Sequence, residues 1–183
     1  MEVVGVSNIL TSKGAEPISL ARAKEQLRID ADLTHDDDYI ENLIRAARSA
    51  AETHLKQPLL THTISTNYAC FSTVLPLLWK STEITSVDYK DKDGADQTVS
   101  SSNYYLSGEN QDKVTFISDF ELPEDVRLVT VNYTAKPVGV IAPDIKTAML
   151  LTITDLYENR TNPVRRYMTA SEAFLNRHRT PTI

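Results

Sequence analysis

The densest acidic cluster in the sequence consists of three consecutive carboxylates, Asp36, Asp37 and Asp38. Carboxylates could bind a divalent cation or assist phosphoryl transfer. Three neighbouring residues at a helix start point in different directions, however, so they cannot converge on one ion without distant partners. Helix capping and solvation therefore explain the cluster better than a metal site.

A second acidic group, with Asp88, Asp91, Asp93 and Asp96 around Gly94, superficially resembles a calcium-binding loop. The required spacing would place a tyrosine at the first position and a serine at the twelfth, where acids are needed. Asp-Gly is instead a strong signal for a tight turn, because glycine adopts a positive φ at no steric cost. The sequence therefore predicts a hairpin tip here.

The remaining residues that could do chemistry also lack the required spacing. The sequence has no G-x-S-x-G elbow, and its five glycines form no phosphate-binding pattern. Cys70 lies in an alternating segment and is expected to be a packed or half-buried thiol. The histidines, which show no metal-ligand spacing, are His35, His54, His62 and His178. We therefore expect no catalytic residue, no metal and no cofactor, and a protein that is not an enzyme.

Arginines and aromatic residues alternate near the carboxyl end. The arginines are Arg160, Arg165, Arg166, Arg177 and Arg179, and the aromatic residues are Tyr157, Tyr167 and Phe174. This combination suits nucleic-acid binding, although a net charge of −6 argues against a dedicated DNA-binding protein. It suits protein docking at least as well, since arginine and aromatic residues are enriched at interface hot spots.

Composition is that of an ordinary globular protein, and charge is uneven along the chain. The 183 residues are 41% hydrophobic and 24% charged, with a single cysteine. Residues 1–40 carry eight acids against four bases, whereas residues 160–183 carry five arginines against one glutamate. No apolar run approaches the ~20 residues that cross a bilayer, and no signal peptide is expected.

Periodicity predicts an α+β fold. Apolar residues recur at the helical period near residues 19–29, 36–56 and 142–159, and a short helix is expected near 170–178. Ser19, Thr34 with Asp37, and Thr169 with Glu172 are candidate caps. Between about 61 and 135, a period of two predicts five to seven mostly antiparallel strands. We expect a helical core of residues 1–60 and 138–183 with an inserted β-domain at 61–137, or one compact unit.

Five segments carry a resemblance to a known family. They are SLARAKEQLRID, HDDDYIENLIRAARSAAETHLKQPL, VLPLLWKSTEITSVDYKDKDG, VTVNYTAKP and APDIKTAMLLTITDLYENR. In this order the chain resembles the head–tail connectors, or head-completion adaptors, of long-tailed bacteriophages and prophages. Lys136 stands where that family often has a glycine, and the segment after Arg160 is only loosely similar.

The resemblance implies a virion structural protein made in the bacterial cytoplasm. It would form a ring of about twelve subunits beneath the portal, extend the DNA channel and join the DNA-filled head to the tail. Its partners would be the portal protein and the next connector, stopper or tail-terminator protein, while the free subunit could be a monomer. DNA would pass without sequence-specific binding, and no membrane is involved. The portal anchors would be Arg160, Arg165, Arg166, Tyr167, Phe174, Arg177 and Arg179, in a segment expected to order on docking.

Two other interpretations remain open. A tail-completion or other neck protein would also lack catalytic residues, but it would bind a different protein in the virion. A DNA-packaging factor would bind nucleic acid through the carboxyl-terminal arginines, with an affinity that falls steeply with salt.

Overall fold

The computed structural model describes residues 7–109, 111–137, 139–159 and 169–179. In these residues the helices are α1 (Leu20–Leu27), α2 (Asp37–Leu55), α3 (Pro143–Glu158) and α4 (Ala170–Asn176). The first four strands are β1 (Ser7–Lys13), β2 (Thr61–Tyr68), β3 (Val74–Pro76) and β4 (Glu83–Asp91). The others are β5 (Asp96–Thr98), β6 (Tyr104–Ser107), β7 (Lys113–Phe116) and β8 (Val126–Ala135), and a 3₁₀ turn at Ser101–Asn103 precedes β6.

The chain folds as two compact units, and the α+β prediction is confirmed. The sheet unit comprises residues 1–13 and 61–136, and the helical unit comprises residues 14–60 and 137–183. Residues 7–13 therefore belong with the strands, whereas the sequence analysis placed them with the helices. Among the described residues, none of the helices combines the length and apolarity that crossing a bilayer would need.

All strand pairs described in the sheet unit are antiparallel. One sheet has the order β1-β2-β8-β4-β5 and the other has the order β3-β7-β6. Along β2 and β8 every second residue is buried, and the register pairs Ile64 with Tyr133 and Tyr68 with Val129 on the same face. Leu75 and Val114, from the smaller sheet, complete the same core.

The β4–β5 connection is the predicted hairpin. Gly94 has φ +88°, and the Asp91 carboxylate accepts hydrogen bonds from the amides of Asp93 at 3.0 Å and Ala95 at 2.9 Å. These bonds, chiefly the one from Ala95, lower the pKa of Asp91. The acids near this tip therefore order a turn.

The helical unit is built on the apolar faces of α2 and α3. Ile40, Ile44 and Leu55 of α2 lie in one core with Met149 and Ile153 of α3. The Ser19 hydroxyl accepts from the Arg22 amide at 3.2 Å, so the predicted cap of α1 is confirmed.

The predicted Thr34–Asp37 cap of α2 is wrong. Asp36 occupies the N-cap position without a side-chain cap, and the Asp37 carboxylate instead accepts from Lys24 Nζ at 2.9 Å. A buried ammonium therefore takes the carboxylate that the expected cap would have used.

Candidate interaction surface at the carboxyl end

Of the seven predicted anchors, the structure describes three, namely Phe174, Arg177 and Arg179. Arg160, Arg165, Arg166 and Tyr167 lie outside the described residues. Phe174 and Arg177 are on or next to α4, and Arg179 follows two residues later. The described part of this surface is therefore α4 and the three residues after it.

Helix α4 begins at the predicted capping box. The Thr169 hydroxyl accepts from the Glu172 amide at 3.3 Å, and the Glu172 carboxylate accepts from the Thr169 amide at 2.7 Å. Each side chain thus satisfies an amide that the first turn of a helix leaves without an intrahelical partner. This reciprocal pair helps to explain why a segment of seven residues forms a helix here, although isolated helices of this length are unstable.

Apolar contacts attach α4 to the rest of the helical unit. Leu175 is 7% exposed and belongs to the helical core, and the half-buried Phe174 packs against the same core. The guanidinium carbon of Arg177 lies 5.8 Å from the centroid of the Phe174 ring, at cation–π range. The structure therefore brings Phe174 and Arg177 together and gives Phe174 a packing role in its own fold.

Polar contacts fix the same helix from two sides. His54 Nε2 lies 2.7 Å from Asn176 Oδ1, and Gln57 Nε2 donates to the His178 carbonyl at 3.4 Å. His178 Nε2 lies 3.2 Å from Asp144 Oδ2 at the start of α3. The hydrogen bond from His178 is the main reason that the pKa of Asp144 is lowered. These histidines therefore have structural partners.

The exposed charged residues of α4 and the three residues after it are two arginines and Glu172, whose carboxylate is used by the capping box. Arg177 and Arg179 are both exposed, while the side chains of Asp144 and His178 are each 31% exposed. Such a surface could receive an acidic or aromatic partner without unfolding, because its guanidinium groups already face solvent.

Two clusters of buried charge were not predicted from the sequence. Lys24 is 5% exposed and donates to the carbonyls of Ala31 at 2.9 Å and Leu33 at 2.6 Å, as well as to Asp37. Arg48, one turn before Glu52 on α2, also forms an ion pair with Glu16 at 2.9 Å. The four-residue spacing of Arg48 and Glu52 was the available signal.

The acidic cluster and the cysteine have simple explanations. Asp36 accepts from the Tyr157 hydroxyl at 2.6 Å, and Asp37 binds Lys24, so these two carboxylates tie α2 to its neighbours. In the part of the chain that the structure describes, no group of three or more His, Cys, Asp or Glu side chains could hold a metal.

Cys70 is exposed, contrary to the expectation of a packed or half-buried thiol, since it lies two residues beyond the end of β2.

Residues 17–111 match the family model described as phage gp6-like head–tail connector protein. This segment is more than half of the chain. The protein belongs to the phage gp6-like head–tail connector family. Membership confirms the family resemblance found in the sequence. The matched segment contains α1, α2 and the strands β2 to β6, and it ends before the three described anchors.

Solved structures with the same fold span nearly the whole connector chain. The neck of an empty gene transfer agent (GTA) particle, computed with C6 symmetry, contains a chain with TM-score 0.73 and 19% identity. A chain from the virion of the native GTA particle has TM-score 0.70 and 19% identity. A chain from the native GTA neck computed with C12 symmetry has TM-score 0.69 and 18% identity. Each comparison covers 96% of this chain and 97% of the other. No curated protein matches this connector.

Proposed function

We propose that this protein is a structural component of a virion, located in the neck between head and tail. The observation that carries the proposal is the match of residues 17–111 to the head–tail connector family. The likeness of the complete fold to chains from a GTA neck gives further support. Its function is to present surfaces to other proteins, and no enzymatic step is assigned to it.

We further propose that the subunits form a closed ring under the portal. Two similar chains come from necks computed with C6 and C12 symmetry, which is compatible with a ring of about twelve copies here. The ring would extend the DNA channel. The chain's net charge of −6 would repel the phosphate backbone, so DNA would slide through the channel without binding tightly to its wall. The opposite rim would meet the next connector, stopper or tail-terminator protein.

The portal contact is assigned to the carboxyl end of the chain. Arg177 and Arg179 are exposed and could bind portal carboxylates, whereas Phe174 could contribute only the part of its ring that the helical core leaves accessible. Arg160, Arg165, Arg166 and Tyr167 remain predicted anchors.

Binding of the full chain to its portal tests this proposal. Arg177→Glu combined with Arg179→Glu should weaken co-sedimentation with the portal at least about tenfold, because two hot-spot cations are reversed. Lys92→Glu combined with Arg127→Glu, at two exposed positions of the sheet unit, is the charge-matched control and should bind normally. Binding of the wild-type chain to tail-tube protein but not to portal would contradict the assignment and favour a tail-completion role. DNA affinity that falls steeply with salt would favour the packaging factor.

A further inference from the structure

The loop between α1 and α2 presents one leucine to solvent on a fixed backbone. The side chain of Leu33 is 50% exposed. Its carbonyl accepts from Lys24 Nζ at 2.6 Å, and its amide donates to the Asp30 carbonyl at 3.1 Å. Lys24 is itself buried and also binds the Ala31 carbonyl and Asp37. Because the loop is already ordered, docking of Leu33 would lose little further conformational entropy.

Two acids flank this leucine. Asp30 and Asp32 are both exposed, and neither forms an ion pair with another described residue. Lys24 contacts this loop from the inside and donates to its backbone, whereas Arg28 is an exposed arginine at the start of the loop. Leu33 therefore lies close to two exposed acids, with one arginine further back in the loop.

A groove with the complementary character lies in the same helical unit. It has a volume of about 460 Å³, and the buried Ile18 and Leu150 contribute to its apolar lining. Arg22 and Lys146 line it and are exposed, and Arg22 also forms an ion pair with the exposed Glu25 on the same helix. Glu16, the acid in the lining, is already paired with Arg48. The groove therefore offers an apolar floor with a basic rim.

The leucine and the groove lie at opposite ends of α1. The groove includes Ser19 and Arg22 at the amino end, whereas Leu33 follows the carboxyl end. Eight residues of helix separate these ends by about 12 Å. A contact between two different patches is heterologous, and such a contact builds a ring when the rotation between neighbours closes and an open filament when it does not.

We propose that Leu33 of one copy docks into this groove on a second copy. Asp30 and Asp32 would then face Arg22 and Lys146 of the neighbour, and the pairing would join adjacent subunits. Charge complementarity and apolar fit select a second copy of this chain as the occupant. The proposal rests on the proposed ring and specifies the contact that builds it.

Sedimentation of the full chain, alone and with its portal, tests the contact. Leu33→Asp should weaken self-association at least about tenfold, because an apolar anchor becomes a charge. Leu78→Asp, at a leucine of the sheet unit that is 44% exposed, is the matched control and should assemble like wild type. Circular dichroism should show the same fold for both variants, because both positions face solvent.

A charge swap separates specific pairing from net charge. Asp32→Lys and Lys146→Glu should each weaken assembly, and the two changes combined in one chain should restore it at unchanged net charge.

A mixture of Leu33→Asp chains and Lys146→Glu chains should stop at dimers. Only the intact Leu33 of a Lys146→Glu chain and the intact groove of a Leu33→Asp chain can still pair. Rings that form equally well in all variants would overturn the Leu33 contact and leave the connector function standing. A wild-type chain that never oligomerises, alone or on the portal, would overturn the proposed ring itself.

Discussion

Arg48 and Glu52 form a buried ion pair one turn apart on α2, with Arg48 Nη1 2.7 Å from Glu52 Oε2. The second carboxylate oxygen of Glu52 accepts from the amides of Leu59 at 2.8 Å and Leu60 at 3.3 Å. Glu52 therefore shares the neutralisation of a buried guanidinium with Glu16 and also holds the segment that leaves α2. A buried ion pair adds little net stability compared with apolar packing, but removing Glu52 leaves Arg48 with only the partly exposed Glu16 and leaves two buried amides without their acceptor.

Glu52→Ala should accordingly lower the free energy of unfolding by about 3–5 kcal/mol. Chemical denaturation of the full chain measures this change. The control lies on the same helix at the same spacing, since Glu41 and Arg45 form an ion pair whose side chains are 46% and 54% exposed. Glu41→Ala should cost less than about 1 kcal/mol, because solvent screens that pair. Equal effects for the two substitutions would contradict the role assigned to burial.

Lys24→Met should release the α1–α2 loop. The substitution removes three hydrogen bonds to the ammonium and leaves the Ala31 and Leu33 carbonyls without that donor. We expect a loss of about 1–3 kcal/mol and faster proteolytic cleavage within residues 29–36. Arg22→Met, on an exposed side chain of the same helix, should leave the cleavage rate unchanged. If the loop of Lys24→Met stays resistant to proteolytic cleavage, hydrogen bonds within the backbone turns are sufficient to order the loop.

Alkaline pH should destabilise the sheet unit. Burial raises the pKa of Tyr68 well above the usual value for tyrosine, and it also raises the pKa of Tyr133. The folded state therefore favours the neutral phenols, and their contribution is complete below about pH 10 and declines as the pH rises beyond it. Tyrosinate absorbance should show these two groups ionising only together with unfolding.

Substitution with phenylalanine tests the same phenols at neutral pH. Tyr133→Phe removes the acceptor of the Leu78 amide at 3.0 Å, and Tyr68→Phe removes the donor to the Pro76 carbonyl. We expect each change to cost about 1–3 kcal/mol at pH 7 while making stability less dependent on alkaline pH. Stability that declines above pH 10 as steeply in the double variant as in wild type would exclude these tyrosines as the cause.

Acid pH should loosen the attachment of α4. The pKa of Asp144 is lowered in the folded chain, so its contribution is present above its unfolded pKa near 3.9 and is lost as the pH falls through the lower, folded value. NMR signals of the α4 amides should shift with this titration, and the shift should vanish in Asp144→Asn. Asp155→Asn, elsewhere on α3, is the control and should keep the wild-type profile.

The sequence predicted the elements whose signals are local. The apolar period of α2, the caps at Ser19 and Thr169, and the turn at Gly94 all depend on residues within a few positions of each other. Strand β1 was not predicted, since Ser7–Lys13 becomes an edge strand only by pairing with the distant strand β2, in a register that joins Lys13 to Thr61 and Ser7 to Asn67. The burial of Lys24 and Arg48 likewise depends on partners supplied by the fold.

The docking surface at the carboxyl end stays a prediction, to which the structure adds local detail. Clustered arginines and aromatic residues predicted a docking end, and Arg177 and Arg179 are exposed as docking requires. The sequence could not show that Phe174 packs against the helical core, because Leu175 and Phe174 look alike as apolar residues. A truncation before α4 would therefore remove a core leucine, and substitutions of exposed arginines test docking more cleanly.

The pairing of β1 with β2 and of β2 with β8 sets an order of events during synthesis. Strand β1 leaves the ribosome before its partner Thr61–Tyr68, which follows only after both α1 and α2 have been made. At typical translation rates that interval is about 3–10 s, and β8 requires a similar further delay. During this interval the backbone hydrogen-bonding groups of Ser7–Lys13 lack their strand partner. This interval exposes the nascent connector to chaperones and to pairing with a neighbouring nascent chain.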